Sequence, residues 1–193
     1  MTNSTRPRDG DKRRRLAAAA ASVLHHQGVE RTTIADIADA ADVPTGNVYY
    51  YFKTKDDLVQ AALTEQLAHL FELTGRLDRV SDPRERLKAL VASWVDQRDV
   101  AARYGCPTGT LAAEIGKRAD GPLDAAVGQV IGQLLKWVEE QFRQLGQPDP
   151  GDLAITLVAA YQGMSLLASA LRDPDIMARE GARLTCWLDS LHK

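Results

Sequence analysis

The sequence is poor in cysteine and aromatics, and it has no long apolar run. Its two cysteines among 193 residues, Cys106 and Cys186, are too few for a disulfide framework or a cysteine-based metal cluster. The longest apolar stretches, such as Leu16–Leu24, are too short and too alanine-rich to span a bilayer, so no membrane association is expected. No apolar leader with a cleavage site follows the basic start, which argues against a secretory signal. Sustained alternation of apolar and polar residues is missing and β-branched residues are sparse, which argues against strands. Nucleophile–base arrangements, metal-spaced clusters and phosphate loops are also missing, so neither an enzyme nor a metal nor a cofactor is expected. Together these absences favour a cytoplasmic protein.

What is present suits an ordinary globular chain, 45% hydrophobic and 26% charged. The net charge of −2 by itself argues against nucleic acid, but its distribution argues otherwise. Residues 1–15 carry Arg6, Arg8, Lys12, Arg13, Arg14 and Arg15 against Asp9 and Asp11, a local balance of +4. Only a small part of a protein has to face phosphates, so the local balance matters more than the total. The plainer reading is a solvated leader, and a flexible basic segment is expected over 1–10.

Helix starts are legible from their caps. Thr33-x-x-Asp36 and Thr54-x-x-Asp57 fit the capping box, in which hydroxyl and carboxylate satisfy orphan N–H groups. Asp82-Pro83, Gly121-Pro122, Asp149-Pro150 and Asp173-Pro174 repeat a cap followed by proline, whose missing N–H is harmless in a first turn. Gly28, Gly105, Gly116 and Gly146 are the stops. The helices so predicted cover 11–27, 33–40, 45–51, 55–79, 83–103, 107–116, 122–145, 150–171 and 175–191. Short helices followed by longer ones predict an all-α protein: a three-helix, helix-turn-helix head over 11–54 and a larger helical body over 55–193. Apolar stripes on the long helices, such as Leu87, Leu90, Val91 and Trp94, fit an ordinary core.

The informative stretch runs from Thr32 to Leu58. Ile34, Ile37, Ala38 and Ala41 form the apolar face of one short helix, and Asp42 suits a left-handed turn residue. On the next short helix Val48 and Phe52 face inward, which leaves Thr45, Asn47, Tyr49, Tyr50 and Tyr51 largely outward. Tyr49 and Tyr50 also fit packing on a neighbouring helix. A helix-turn-helix inserts the N-terminal residues of its second helix into the major groove. Pro44, Thr45 and Gly46 are small enough for close approach, and Thr45 and Asn47 can read base edges. Tyrosine hydroxyls, Lys55 and Arg13 of the basic first helix suit phosphates. Thr33 suits a phosphate at the start of its helix.

At these residues the sequence resembles the TetR family of bacterial regulators. The likeness runs through Gly28, Thr32-Thr33, Ile37-Ala38, Val43, Gly46, Val48-Tyr49, Phe52, Lys55 and Leu58, and with the first helix covers about residues 11–65. By position it implies DNA contacts at Thr33, Thr45, Asn47, Tyr49, Tyr51 and Lys55, with close backbone approach at Gly46. Two departures stand out. Pro44 takes the place of a capping serine and offers no capping oxygen. Tyr50 and Tyr51 replace histidines often found there, which leaves the base preference open.

The resemblance further implies a ligand-binding and dimerising body, a palindromic operator and a repressor released by a small-molecule effector. Two heads about 34–36 Å apart read such a palindrome. The dimer helices would be 150–171 and 175–191, through Leu153, Leu157, Ala160, Tyr161, Met164 and Leu167 of the first and Met177, Leu184, Trp187, Leu188 and Leu191 of the second. The alternative is that both helices cover only their own core. The segment Gly105–Gly116 resembles a motif of the lincomycin- and flavonoid-responsive, LmrA/YxaF-like branch, which implies a drug-like or aromatic ligand. Candidate pocket residues are Phe71, Trp94, Tyr104, Leu111, Trp137 and Gln162, each of which also fits ordinary core. Cys106 stands at a predicted helix N-terminus, where the dipole favours thiolate, so a redox-responsive regulator is an alternative, as is an activator or one answering to a partner protein. His25 and His26 suit the negative end of the first helix.

Overall fold

The structure is a computed structural model that describes residues 9–117 and 121–191. Ten helices and no strand occur among the described residues: α1 (Asp9–Gln27), α2 (Ile34–Ala40), α3 (Thr45–Tyr51), α4 (Lys55–Leu77), α5 (Pro83–Val95), α6 (Arg98–Tyr104), α7 (Pro107–Ile115), α8 (Pro122–Gln144), α9 (Pro150–Leu171) and α10 (Asp175–Ser190). Asp9 and Gly10 belong to α1 rather than to the expected leader, while Arg6 and Arg8 lie outside the described residues.

The caps set the boundaries. Both capping boxes form: the Thr33 hydroxyl accepts from Asp36 N–H at 3.2 Å, and the Asp36 carboxylate accepts from Thr33 N–H at 2.7 Å. Thr54 and Asp57 repeat the exchange at 3.1 and 3.0 Å. These bonds hold both carboxyls below their ordinary range. Asp82 caps α5 by accepting from Arg84 N–H at 2.9 Å. Pro174 is itself the N-cap of α10 instead of a first-turn residue.

The helix expected over 83–103 is two helices. The chain leaves helical geometry at Gln97, whose φ and ψ are −96° and 11°. No glycine or proline marks this break. It follows from a change of partner, since α5 packs on α10 whereas α6 packs on α9.

The apolar side chains form two clusters. One joins Leu16, Ala20 and Leu24 of α1 to Ile37, Val48, Phe52 and Leu58, and extends to Leu111 and Ile115 of α7 and Leu123 and Val127 of α8. The other, in the body, holds Leu87, Leu90, Trp94, Phe142, Leu157, Met177 and Leu188. Helix α4 begins in the first and ends, at Leu77, in the second.

Candidate nucleic-acid interface and ligand cavity

The turn between α2 and α3 is built around Asp42, whose φ of +50° is the left-handed conformation expected of it. Arg15 of α1 straps this turn: Nε donates to the Ala41 carbonyl at 3.0 Å and Nη2 to the Asp42 carbonyl at 2.5 Å. Sequence reasoning misses this strap, because Arg15 reads as one more charge in a basic run. Helix α3 begins at Thr45 with Pro44 as N-cap and no side-chain cap bond, so the proline leaves the start unshifted.

Val48 is fully buried and pins α3 to the head, while Pro44, Thr45, Gly46, Asn47, Tyr49 and Tyr50 are exposed. Tyr50 is 72% exposed, and its ring meets the edge of Tyr51 at 5.0 Å. Tyr51 is not outward as expected. It is half-buried and packs on the head cluster, because residue 51 follows Val48 by nearly one helical turn. A Cβ built at Gly46 meets nothing within 4 Å, so no neighbour in the chain requires glycine there.

Arg13 lies over the Phe52 ring, 5.3 Å from its centroid. Lys55 reaches the Glu30 carbonyl at 3.2 Å, at the exposed edge of the same head. The Thr33 hydroxyl is engaged with Asp36. The Asp36 carboxylate therefore occupies part of the helix end that would otherwise face a phosphate, and the amides of Ile34 and Ala35 lie outside that box.

The body encloses a cavity of about 540 Å³ among α4, α5, α8, α9 and the start of α7. Trp94 and Gln162 line it; the other four pocket candidates lie elsewhere. Phe71 is exposed, because the cavity face of α4 runs through Gln66, Leu70 and Leu73. The Tyr104 ring lies 4.4 Å from that of His26, tilted by 53°, in a separate cleft beside α1. Leu111 is buried in the head cluster. Trp137 packs against the body cluster beyond the cavity and donates to Asp78 at 2.9 Å.

Three further cavity residues carry no signal of that role in the sequence. Tyr161 stacks on Trp94 at 4.3 Å with planes 16° apart, and burial together with neighbouring Cys106 pushes its hydroxyl well above its ordinary pKa. Cys106 is buried in the wall, its Sγ accepting from Gly109 N–H at 3.4 Å and from Gln162 Nε2 at 3.5 Å. Gln66 accepts from the Thr108 hydroxyl at 3.0 Å, and its Nε2 is buried without a hydrogen-bond partner among the described residues. Cys186 is exposed on α10.

Helix α9 carries a second apolar face. Leu157, Met164 and Ala168 are buried in the body, whereas Ile155, Leu166, Leu167 and Leu171 are exposed. The outward set thus differs from the dimer residues expected from sequence. Leu157, Met164, Met177, Leu184 and Leu188 serve the chain's own core, and of the expected α9 residues Leu167 alone is exposed. A groove of about 470 Å³ between α9 and α10 adjoins this face, with Arg179 and Arg183 at its edge. Helix α9 is long and apolar enough to cross a membrane by composition, with a third of its most apolar window buried.

The family model for bacterial regulatory proteins of the tetR family matches residues 16–62. The model for the tetracyclin repressor-like C-terminal domain matches residues 83–183, just over half of the chain. The chain belongs to the TetR family. It is a transcriptional regulator with a DNA-binding helix-turn-helix head on an all-α body.

Solved TetR-family structures share this fold along nearly the whole chain. A TetR regulator from Chloroflexus aurantiacus superposes with a TM-score of 0.81 at 22% identity, covering 94% of this chain and 96% of that one. The reduced form of NemR from Escherichia coli does so with a TM-score of 0.77 at 20% identity, covering 90% and 94%. The transcriptional regulator BetI of Burkholderia lata is 36% identical over 93 residues, 47% of this chain and 48% of BetI. The chain thus spans about half the length of the curated relatives it matches. Members of the TetR family bind DNA and small-molecule effectors and typically form dimers.

Proposed function

We propose that this TetR-family regulator is a repressor that grips a palindromic operator as a homodimer and is released by a small hydrophobic or aromatic ligand. The head over 11–54 reads DNA, and the body over 55–193 senses and dimerises. Thr45 and Asn47 meet base edges while Pro44 and Gly46 admit the backbone. Tyr49, Tyr50, Lys55, Arg13 and the first turn at Thr33 meet phosphates, and Tyr51 braces α3 from behind while its edge faces the duplex. The observation that carries this reading is the exposed face of α3, where small and polar residues surround a glycine that no intramolecular contact demands.

The exposed leucines of α9 favour a second copy of the chain as their cover. A two-fold pairing of α9 and α10 would bury Leu166, Leu167 and Leu171 against their own mates. That pairing also accounts for the membrane-like composition of α9 in a cytoplasmic protein. The cavity suits a flat apolar molecule against Trp94 and Tyr161, and an acceptor on that molecule would satisfy Gln66 Nε2.

The test is a gel shift on the DNA upstream of the chain's own gene, repeated across salt concentrations and with a panel of flavonoids and related aromatic compounds. Specific binding that weakens steeply with salt, and that a compound quenching Trp94 fluorescence reverses, supports the reading. Absence of specific binding even at low salt overturns it.

A further inference from the structure

The ends of α1, α6 and α9 and the flank of α7 enclose a second cleft, of about 300 Å³. It shares no lining residue with the larger cavity of the body. Its walls carry His25, His26, Arg103, Tyr104, Glu114 and Arg172. His25 and Tyr104 are half-buried, while His26, Arg103 and Arg172 form an edge open to solvent. The Tyr104 ring stands between the two imidazoles and a guanidinium: the His25 ring is 5.9 Å away, that of His26 4.4 Å, and Arg103 Cζ 5.5 Å.

Part of this polar chemistry is spent on the chain itself. The Glu114 carboxylate accepts from the Val29 N–H at 2.6 Å. His25 Nε2 bonds the Gly105 carbonyl at 2.8 Å, and Arg172 Nη1 donates to the Arg103 carbonyl at 2.5 Å. These two bonds cap the carbonyl end of α6, yet they use one of the five donors on Arg172 and none on Arg103. Neither arginine pairs with a carboxylate among the described residues; Asp173, next to Arg172 in the chain, faces Arg179 at 3.3 Å instead. Two permanent cations therefore stand against the one carboxylate of Glu114, an excess of one positive charge. Arg172 also holds a left-handed backbone at the end of α9, with φ +55° and ψ 33°. Glycine suits that position best, so the backbone alone does not select the arginine.

We propose that this cleft is a second binding site, which takes a small aromatic carboxylate with its anionic group on Arg103 and Arg172 and its ring beside His26 and Tyr104. The planar fork of a guanidinium matches a carboxylate in shape and charge. One negative charge balances the excess in the cleft, and the two aromatic side chains offer a flat organic group a wall of its own kind. The volume lies at the lower end of small-molecule sites, which suits a single ring. The site does not rest on the larger cavity being the effector site, and either can fail without the other.

The test is calorimetric titration of the full chain, at low ionic strength, with benzoate, its neutral counterpart benzamide and inorganic phosphate. Benzoate is expected to bind saturably, at least tenfold more tightly than either of the others, and to leave the fluorescence of Trp94 unchanged. Arg172→Gly should weaken benzoate at least tenfold without earlier melting, because glycine relieves the left-handed cap. Arg103→Gln, an independent variant that leaves that cap alone, should weaken it to a similar degree. Arg143→Gln, the same loss of charge on the exposed side of α8, should weaken it less than twofold. The ring of His25, followed by NMR, should titrate at higher pH with benzoate bound, since a carboxylate favours the charged imidazole. Benzamide or phosphate binding as tightly as benzoate overturns the proposal, as does an Arg143→Gln effect equal to that of the two cleft arginines. Quenching of Trp94, an unmoved His25 titration or no saturable binding at millimolar benzoate overturns it too.

Discussion

Arg15 and Asp42 are joined at the base of the reading head: Arg15 Nη2 donates to the Asp42 carbonyl at 2.5 Å and lies 3.4 Å from its carboxylate. Asp42 holds the left-handed turn that leads into α3, so an arginine of α1 is tied to the turn from which that helix starts. Arg15→Ala removes the bonds to both turn carbonyls. The expected cost is about 1 kcal/mol, at the low end for charged donors because the site is partly solvated. Operator affinity should fall by more than that loss of stability explains. Urea unfolding paired with anisotropy titration measures both, and a variant that unfolds earlier yet binds as tightly as the parent sinks this account of the strap.

Val48 and Gly46 sit on opposite sides of α3, and their substitution should have opposite signatures. Val48→Ala empties a fully buried position and should cost about 2 kcal/mol through lost burial and a residual cavity. Gly46→Ala meets nothing in the chain and gains helix propensity, so stability should hold or rise by up to about 1 kcal/mol. Its operator affinity should nevertheless drop, because the new methyl stands where the duplex approaches. Thermal melts and gel shifts on the two variants separate the effects; a Gly46→Ala protein that binds normally counts against close approach at that turn.

Leu166, 67% exposed, should be replaceable by a charge without harming the monomer. Leu166→Glu places like charges across a two-fold axis, and the expected result is a folded monomer with much weaker operator binding. Sedimentation velocity decides. A Leu166→Glu protein that sediments as the parent dimer places the interface elsewhere.

Acid should loosen the seam between head and body. Burial, partly offset by the bond to Gly105 and reinforced by neighbouring His26, pushes the pKa of His25 down. Tyr104, Arg103, Arg172 and Glu114 line the same cleft. A folded pKa below the ordinary value of about 6.5 means that folding favours the neutral ring. That contribution is complete above about pH 6.5 and is lost as the pH falls through the folded value. Asp36 and Asp57 act with the same sign further down, since their depressed values favour the folded chain above about pH 4. Urea midpoints at pH 7.5 and 5.5 should therefore differ more for the parent than for His25→Gln, which keeps a donor for Gly105 but does not titrate. Equal differences would remove His25 from the explanation.

Much of the head is legible in the order of its residues. Thr33-Asp36 and Thr54-Asp57 announce two helix starts because a capping box is a local exchange of hydrogen bonds. Asp42 and Gly28 announce turns because left-handed backbone excludes most other residues. Val48 reads as inward and Asn47 as outward from spacing alone. The cavity is far less legible. Trp94 and Gln162 reach it, yet Phe71 stands one residue's rotation from cavity-lining Leu70 and Trp137 lies about one turn beyond cavity-lining Leu134, margins that apolar composition does not resolve. Tyr161, expected at a dimer interface, is the stacking partner of Trp94 inside the body.

The division has a physical cause. Caps, turns and one-sided helices are settled by neighbours within about four residues, and the chain carries those neighbours in its own order. The break at Gln97, the division of α9 into a buried and an exposed apolar face, and the bonds from Arg15 to Asp42 and from Glu114 to Val29 are set by packing, not by proximity along the chain. Local chemistry wrote the helices and the reading surface; only their packing decided where the cavity lies, which leucines face outward and how the body grips the head.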